Sequence, residues 1–277
     1  MKKILLASAL FCAASFTQAQ VKMPAPSPTQ TIKQDFALGS VELTYSRPSI
    51  KGRKIFGDLV PFGKVWRTGA NSATIIKFND PVEIAGKKID TGSYSLYTIP
   101  NEEEWEVIIN KATGNWGTNG YNDSGDVVRF KVPPMKMKGN AVETFTMQFA
   151  NIKPESCELH IMWNKTAIAI PITALIKDRM RASIEKAMLT DKKPYWNAAQ
   201  FYFEYDKNNA KALEAIKGAV EANPKAFWMW LYKAKIEKES GDKAAAMASS
   251  KTSLELAKAE KNDDYVKMNE DLQKKLR

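Results

Sequence analysis

The stretch "VEIAGKKIDTGSYSLYTIP", residues 82–100, decides the fold class. Gly86 and Lys87 turn one short run into the next, and Gly92 opens a run in which Tyr94 and Leu96 share a face, because successive side chains of a strand point to opposite sides. The alternation continues outward in both directions. Upstream, Val41, Leu43 and Tyr45 oppose Glu42, Thr44 and Ser46; downstream, Trp105, Val107 and Ile109 oppose Glu104, Glu106 and Ile108. Further strands are predicted over residues 74–78, 82–85, 93–99, 126–132, 142–149, 157–163 and 167–172. Short strands punctuated by Gly, Pro and Asn, with no convincing helix among them, predict a mainly β domain over residues 31–172, an antiparallel sandwich or a barrel-like variant of it.

Composition changes beyond that point. Twelve of the fourteen glycines precede residue 176, and only Gly218 and Gly241 follow it. From Thr173 the apolar period becomes helical: Ala212, Leu213, Ile216, Ala219 and Val220 fall on one face. Pro194 and Pro224 suit helix starts. Trp196 and Trp230 lie 34 residues apart, as do Ala212 and Ala246, and 34 is the tetratricopeptide period. Residues 173–277 are therefore expected to form an all-α, tetratricopeptide-like region, although Ser253 and Lys258 stand where that pattern has alanine and proline. Two such units need company, so a preceding helix over 176–189 and a closing helix near 264–276 are predicted.

The N-terminus has the zones of a secretory signal: Lys2 and Lys3, an apolar run, then Thr17 and Ala19 before the cleavage point. Residues 1–19 are expected to be removed and 20–30 to form an extended leader, placing the mature chain in the periplasm or outside the cell. Cys12 follows the bulky Phe11, which disfavours a lipidation signal. No later run has the roughly 20 apolar residues of a membrane-spanning helix. The mature chain keeps a single cysteine, Cys157, so no internal disulfide is available and stability must come from burial. It also keeps 39 cations against 31 anions, a moderate excess of +8 that lysines on solvated helix faces explain, so nucleic acid is not expected as a partner.

Several chemistries are excluded. One histidine, His160, cannot build a multi-histidine metal site or a two-histidine mechanism, and no metal or other cofactor is expected. Cys157 and His160 are three apart in a predicted strand and so should face opposite ways. Cys157 is expected inside with Leu159, Ile161 and Trp163. "GDLVPFGKV" fails as a phosphate loop, since Val65 replaces the required hydroxyl and no helix follows. "GNWGTNGYNDSGD", residues 114–126, lacks the ligand spacing of a calcium loop and reads as a long glycine-rich hairpin loop.

Binding chemistry concentrates in residues 47–67. Arg47, Lys51, Arg53, Lys54, Lys64 and Arg67 face a single anion, Asp58, and are interleaved with Phe56, Phe62 and Trp66. Guanidinium forks suit carboxylate, sulfate or phosphate. Arg47, Arg53, Lys54, Lys64, Trp66, Arg67, Asn71 and Trp116 are the candidate ligand-binding residues, for an anionic small molecule or glycan. The competing expectation is that Ile55, Phe56, Leu59, Val60 and Trp66 fold the loop onto the sandwich while the cations stay in water. Two other functions stay open: a polysaccharide hydrolase using an unlocated carboxylate pair, and a scaffold holding a protein or peptide in an aromatic groove among Trp196, Phe203, Trp228 and Trp230.

"RPSIKGRKIFGDLVPFGKVWRTGANSATIIKF", followed by "GKKIDTGSYSLYTIPNEEEWEVIINK" and "NWGT", resembles the exported bacterial family called domain of unknown function 2911, over residues 27–172. The resemblance implies export, a β-rich fold and, in some members, a tetratricopeptide-like extension. It brings no activity and no catalytic residues. The family pattern commonly carries an acidic residue where this chain has Ser72.

Overall fold

The computed structural model describes residues 23–277, so the signal sequence expected over 1–19 lies outside the described residues. Two antiparallel sheets face each other between Thr29 and Ala174, and helices fill the rest. The first sheet contains β1 (Thr29–Phe36), β2 (Gly39–Ser46), β3 (Ala70–Phe78), β6 (Gly92–Ile99), β7 (Trp105–Asn110) and β8 (Asp126–Val132), paired in that order. The second has β10 (Val142–Ala150), β11 (Ser156–Asn164), β12 (Thr166–Ala174), β4 (Val82–Ile84) and β5 (Lys87–Ile89), with β9 (Met135–Lys136) also paired to β12. The sandwich expected from alternation is present.

Alternation fixes the core. Leu43, Ile76, Leu96, Val107 and Ile109 of the first sheet meet Met147, Leu159, Ile161, Ile168, Ile170 and Ile172 of the second in one buried cluster. The Tyr45 hydroxyl crosses between the sheets and accepts from the Met147 backbone N–H at 2.8 Å. Cys157 lies in the same core, where burial pushes its thiol up to about 11. His160 faces away, 2.7 Å from Glu158, so no thiol dyad exists.

Three strands differ from the expectation. β1 begins within the supposed leader, because Gln30 and Thr31 pair with Tyr45 and Thr44. β5 and β9 have three and two residues, too few to show a period. Ala85 and Gly86, both at positive φ, make the β4–β5 turn in place of Gly86 and Lys87.

The helical region comprises α1 (Lys177–Ala187), α2 (Tyr195–Gln200), α3 (Asn209–Ala222), α4 (Phe227–Glu239), α5 (Lys243–Ala259) and α6 (Asp263–Leu276). α2 runs directly into a π-helical turn, Phe201–Tyr205, which the sequence did not announce. Asn208 and Asp242, 34 positions apart, accept backbone N–H groups of Lys211 and Ala245 as helix caps. Ala212, Ala215, Ile216, Ala219 and Val220 are the buried stripe of α3; Ala215 takes the place expected for Leu213, which is only half-buried. Gly218 lets α2 approach, since a Cβ there would sit 2.7 Å from the Tyr195 ring. The unexpected Ser253 is buried, donates to Phe227 O at 2.7 Å and accepts from Asn269 at 2.8 Å. A polar lock thus replaces an alanine contact between α4, α5 and α6. Trp196, Phe203 and Trp230 pack on the helical core, whereas Trp228 is exposed.

α1 joins the two parts. Met180 touches both the sandwich core and the helical core. Arg179 donates to Asp80, which is 4% exposed and also accepts the Leu38 N–H at 2.9 Å. The polar pair therefore fixes the helix start against the β1–β2 turn.

Candidate functional site

The basic segment follows the competing expectation in part: Ile55, Phe56, Val60 and Trp66 fold onto the sandwich, but Leu59 is exposed, and Arg47 and Arg53 bond to the protein instead of staying in water. Ile55 and Val60 are buried, and Phe56, Trp66, Trp105, Phe145 and Trp163 close one end of the sandwich as a ring cluster. The Trp66 indole lies 6.0 Å from Trp163, nearly parallel to it, and 5.2 Å from Phe145. Its N–H donates to Gly69 O at 3.1 Å. Only 9% of Trp66 is exposed, so its ring offers no face to a ligand; it anchors the loop.

The cations around that plug diverge. Arg47 donates to Phe145 O at 3.0 Å and Thr146 Oγ1 at 2.8 Å, both on β10. Arg53 closes its own turn on Ile50 O at 2.9 Å and Ser49 O at 2.6 Å. Lys54 is exposed. Lys64 is exposed too, beside Gly63, whose N–H donates to Pro100 O at the far end of β6. Guanidinium groups bonded to carbonyls and a hydroxyl staple the loop and do not make a shared anion pocket.

A different part of the candidate set converges on the outer face of the first sheet. Ala73, Tyr97 and Ile108 point away from the sandwich yet are buried, with Val65, Ile99 and Tyr121 against them. The cover is the glycine-rich loop of residues 111–125. Lys111 N–H donates to Gly125 O at 2.9 Å, Ala73 N–H to Asn115 O at 3.1 Å, and Gly117 N–H to Asn71 O at 3.0 Å. Asn115 also donates to the Tyr97 hydroxyl at 3.0 Å. Buried backbone groups of the loop are therefore satisfied by strands and strand ends, which fixes its position.

Arg67, Asn71 and Trp116 meet there. Asn71, at a φ of 58°, donates its side chain to Ser27 O and Ser46 Oγ, both at 3.2 Å. Its carbonyl accepts from Arg67 Nη1 at 3.3 Å as well as from Gly117. Gly117, with φ of 68°, lies directly under the guanidinium, and an added Cβ would come within 2.6 Å of Arg67 Nη1. Trp116 bridges Ser72 through its backbone, and its side chain is 64% exposed. The residue that carries this exposed indole is held by backbone pairing and is followed by Gly117, against which lies Arg67, a cation with unspent donors.

The other end of the loop is held by residues the sequence reading did not select. Asp126 accepts from Asn110 at 2.7 Å, Tyr121 at 3.0 Å and Arg129 at 3.0 Å. Arg129 also donates to Glu106 at 2.8 Å and the Tyr121 hydroxyl at 2.7 Å. Burial, then the hydrogen bond to Asp126, pushes the Tyr121 phenol up to about 12. Asp126 and Glu106 both accept from Arg129, which compensates both charges. The available signal was Tyr97, an aromatic at an outward position of β6 that needs a cover.

Among the described residues, no group of three or more His, Cys, Asp or Glu is arranged to hold a metal ion. No helix among them is long and apolar enough to cross a membrane.

Residues 27–172, just over half of the chain, match the family described as protein of unknown function (DUF2911). No curated protein matches.

Proposed function

We propose the following for a chain that belongs, through residues 27–172, to the family of proteins of unknown function DUF2911: it is an exported, non-enzymatic binding protein that takes an anionic glycan at Trp116, Arg67 and Asn71. The observation that carries this is the exposed, backbone-pinned Trp116, next in the chain to Gly117, against which Arg67 Nη1 lies. Tryptophan and arginine are the side chains that most often dominate recognition surfaces, and a backbone already fixed in place loses little freedom on binding. The arginine supplies a planar fork for a carboxylate or sulfate. A charged contact of this kind contributes about 1.5–3 kcal/mol. Together with ring contact, that sustains weak to micromolar binding after association costs.

Titrating the mature protein with uronic-acid and sulfated oligosaccharides, neutral oligosaccharides and inorganic sulfate, followed by tryptophan fluorescence, tests it. Acidic oligosaccharides should quench or shift the emission; Trp116→Ala should abolish the response and Arg67→Ala should weaken it at least tenfold. Arg53→Ala, which alters only a turn staple, should leave it unchanged. No response to any acidic saccharide, or one that survives Trp116→Ala, would overturn the proposal. Export is checked separately by N-terminal sequencing of the secreted chain, expected to begin at Gln20.

A second function, peptide binding by the helices, is favoured by one observation. Two adjoining hollows share Lys235 and Glu239 on α4 and run from Phe203 and Asn209 to Met268 and Leu272 on α6. Lys235→Glu should then reduce capture of acidic peptides without touching saccharide binding.

A further inference from the structure

A separate cavity of about 410 Å³ lies where α1 passes between the β1–β2 turn and the α2–π-helical segment. That volume is within the roughly 300–1,000 Å³ of small-molecule sites, which favour junctions of this kind and combine an apolar floor with few polar groups. Its floor is Leu38, Met180, Ile184, Phe201 and Tyr205. Leu38 is 53% exposed at a turn whose N–H is tied to buried Asp80, so an apolar side chain is held facing the hollow. Phe201 and Tyr205 stack nearly parallel, 6.2 Å apart.

Two opposite charges stand on the rim. Arg179 is anchored through one N–H to Asp80, and its side chain is half exposed, leaving other donors free. Glu204 projects from the π-helical turn, where its carboxylate accepts from the Tyr232 hydroxyl at 2.6 Å. Burial, then that hydrogen bond, raises the Tyr232 phenol well above its usual range, so it stays a donor and Glu204 keeps its second oxygen for a ligand. Single π-helical turns inside helices recur at functional sites.

We infer that this cavity binds a small zwitterion with apolar side chains, a free hydrophobic dipeptide, its carboxylate on Arg179 and its ammonium on Glu204. Charge complementarity selects the ends and the floor selects the side chains. The site is independent of the Trp116 surface and can stand or fall without it.

Isothermal titration calorimetry of the full chain with leucyl-phenylalanine, its N-acetyl form and its C-terminal amide tests this. The free dipeptide should bind, and each cap should weaken it about tenfold or more, the size of one charged contact. Glu204→Gln should weaken the free dipeptide by the same factor and leave the N-acetyl form unaffected. Because Glu204 is exposed, the isosteric change should not alter the thermal melt. Ile184→Trp, which fills the floor, should abolish binding of all three. Absence of binding by the free dipeptide at millimolar concentration, or equal binding of free and capped forms, would overturn the inference.

Discussion

Trp66 and Trp116 sit in the same β-sandwich and have opposite fates. Trp66 is surrounded by four aromatic rings and closes the end of the core, whereas Trp116 is carried on a loop whose backbone pairs with the sheet and whose ring is left in water. The neighbouring arginines differ in the same sense: Arg47 gives two N–H groups to β10, and Arg67 gives one to Asn71. A dense patch of charge and aromatics in a sequence therefore divides, on folding, into a part that builds the protein and a part that is left to meet something else. Burial and spent hydrogen bonds distinguish the two.

The contrast can be broken by substitution, beginning where the effect is greatest. Trp66→Ala should cost about 3–5 kcal/mol, the usual range for deleting a large buried ring, as a loss of unfolding free energy in urea. Asp126→Ala removes an acceptor shared by Asn110, Tyr121 and Arg129 and should cost about 2 kcal/mol, since the buried Asn110 and half-buried Tyr121 each lose a partner. Gly117→Ala forces a side chain into the left-handed region and onto Arg67. It should cost about 1 kcal/mol and displace the guanidinium, so saccharide binding should fall with it. Trp116→Ala should change stability by about 0.5 kcal/mol or less, as an exposed substitution does, while abolishing binding. A large destabilisation there would erase the distinction between the two tryptophans.

A pH titration sharpens the comparison at the outer face. Tyr121 is held neutral to about 12 against an ordinary 10, so the folded state binds its proton more tightly than the unfolded chain. Its stabilising contribution is complete below pH 10 and is lost as pH rises toward 12. Stability measured across that window should fall less steeply in Tyr121→Phe, and phenolate absorbance should show one tyrosine fewer titrating late.

Much of the sandwich was legible because its strands carry two-sided chemistry: Leu43 against Thr44, Val107 against Glu106. β1 was not, since "TQTIKQDF" covers an edge and buries only Phe36 fully. The helical region showed in the spacing of residues such as Ala212 and Ala246, both fully buried, but the π-helical turn leaves no periodic trace over five residues. At the candidate site, charge density was visible and direction was not. The partners that turn Arg47 inward lie 98 and 99 residues away, a separation that no local pattern encodes. Arg67, Asn71 and Trp116 were selectable by residue type alone; Asp126 and Arg129 became meaningful only when the loop closed on Tyr97.

Met180 carries a consequence of its own. A single half-buried side chain packed against both cores makes oxidation at one sulfur a disturbance to sandwich and helices together, because a sulfoxide places a polar group where both expect an apolar one. Damage to that sulfur would loosen the seam on which Arg179 and Asp80 also depend.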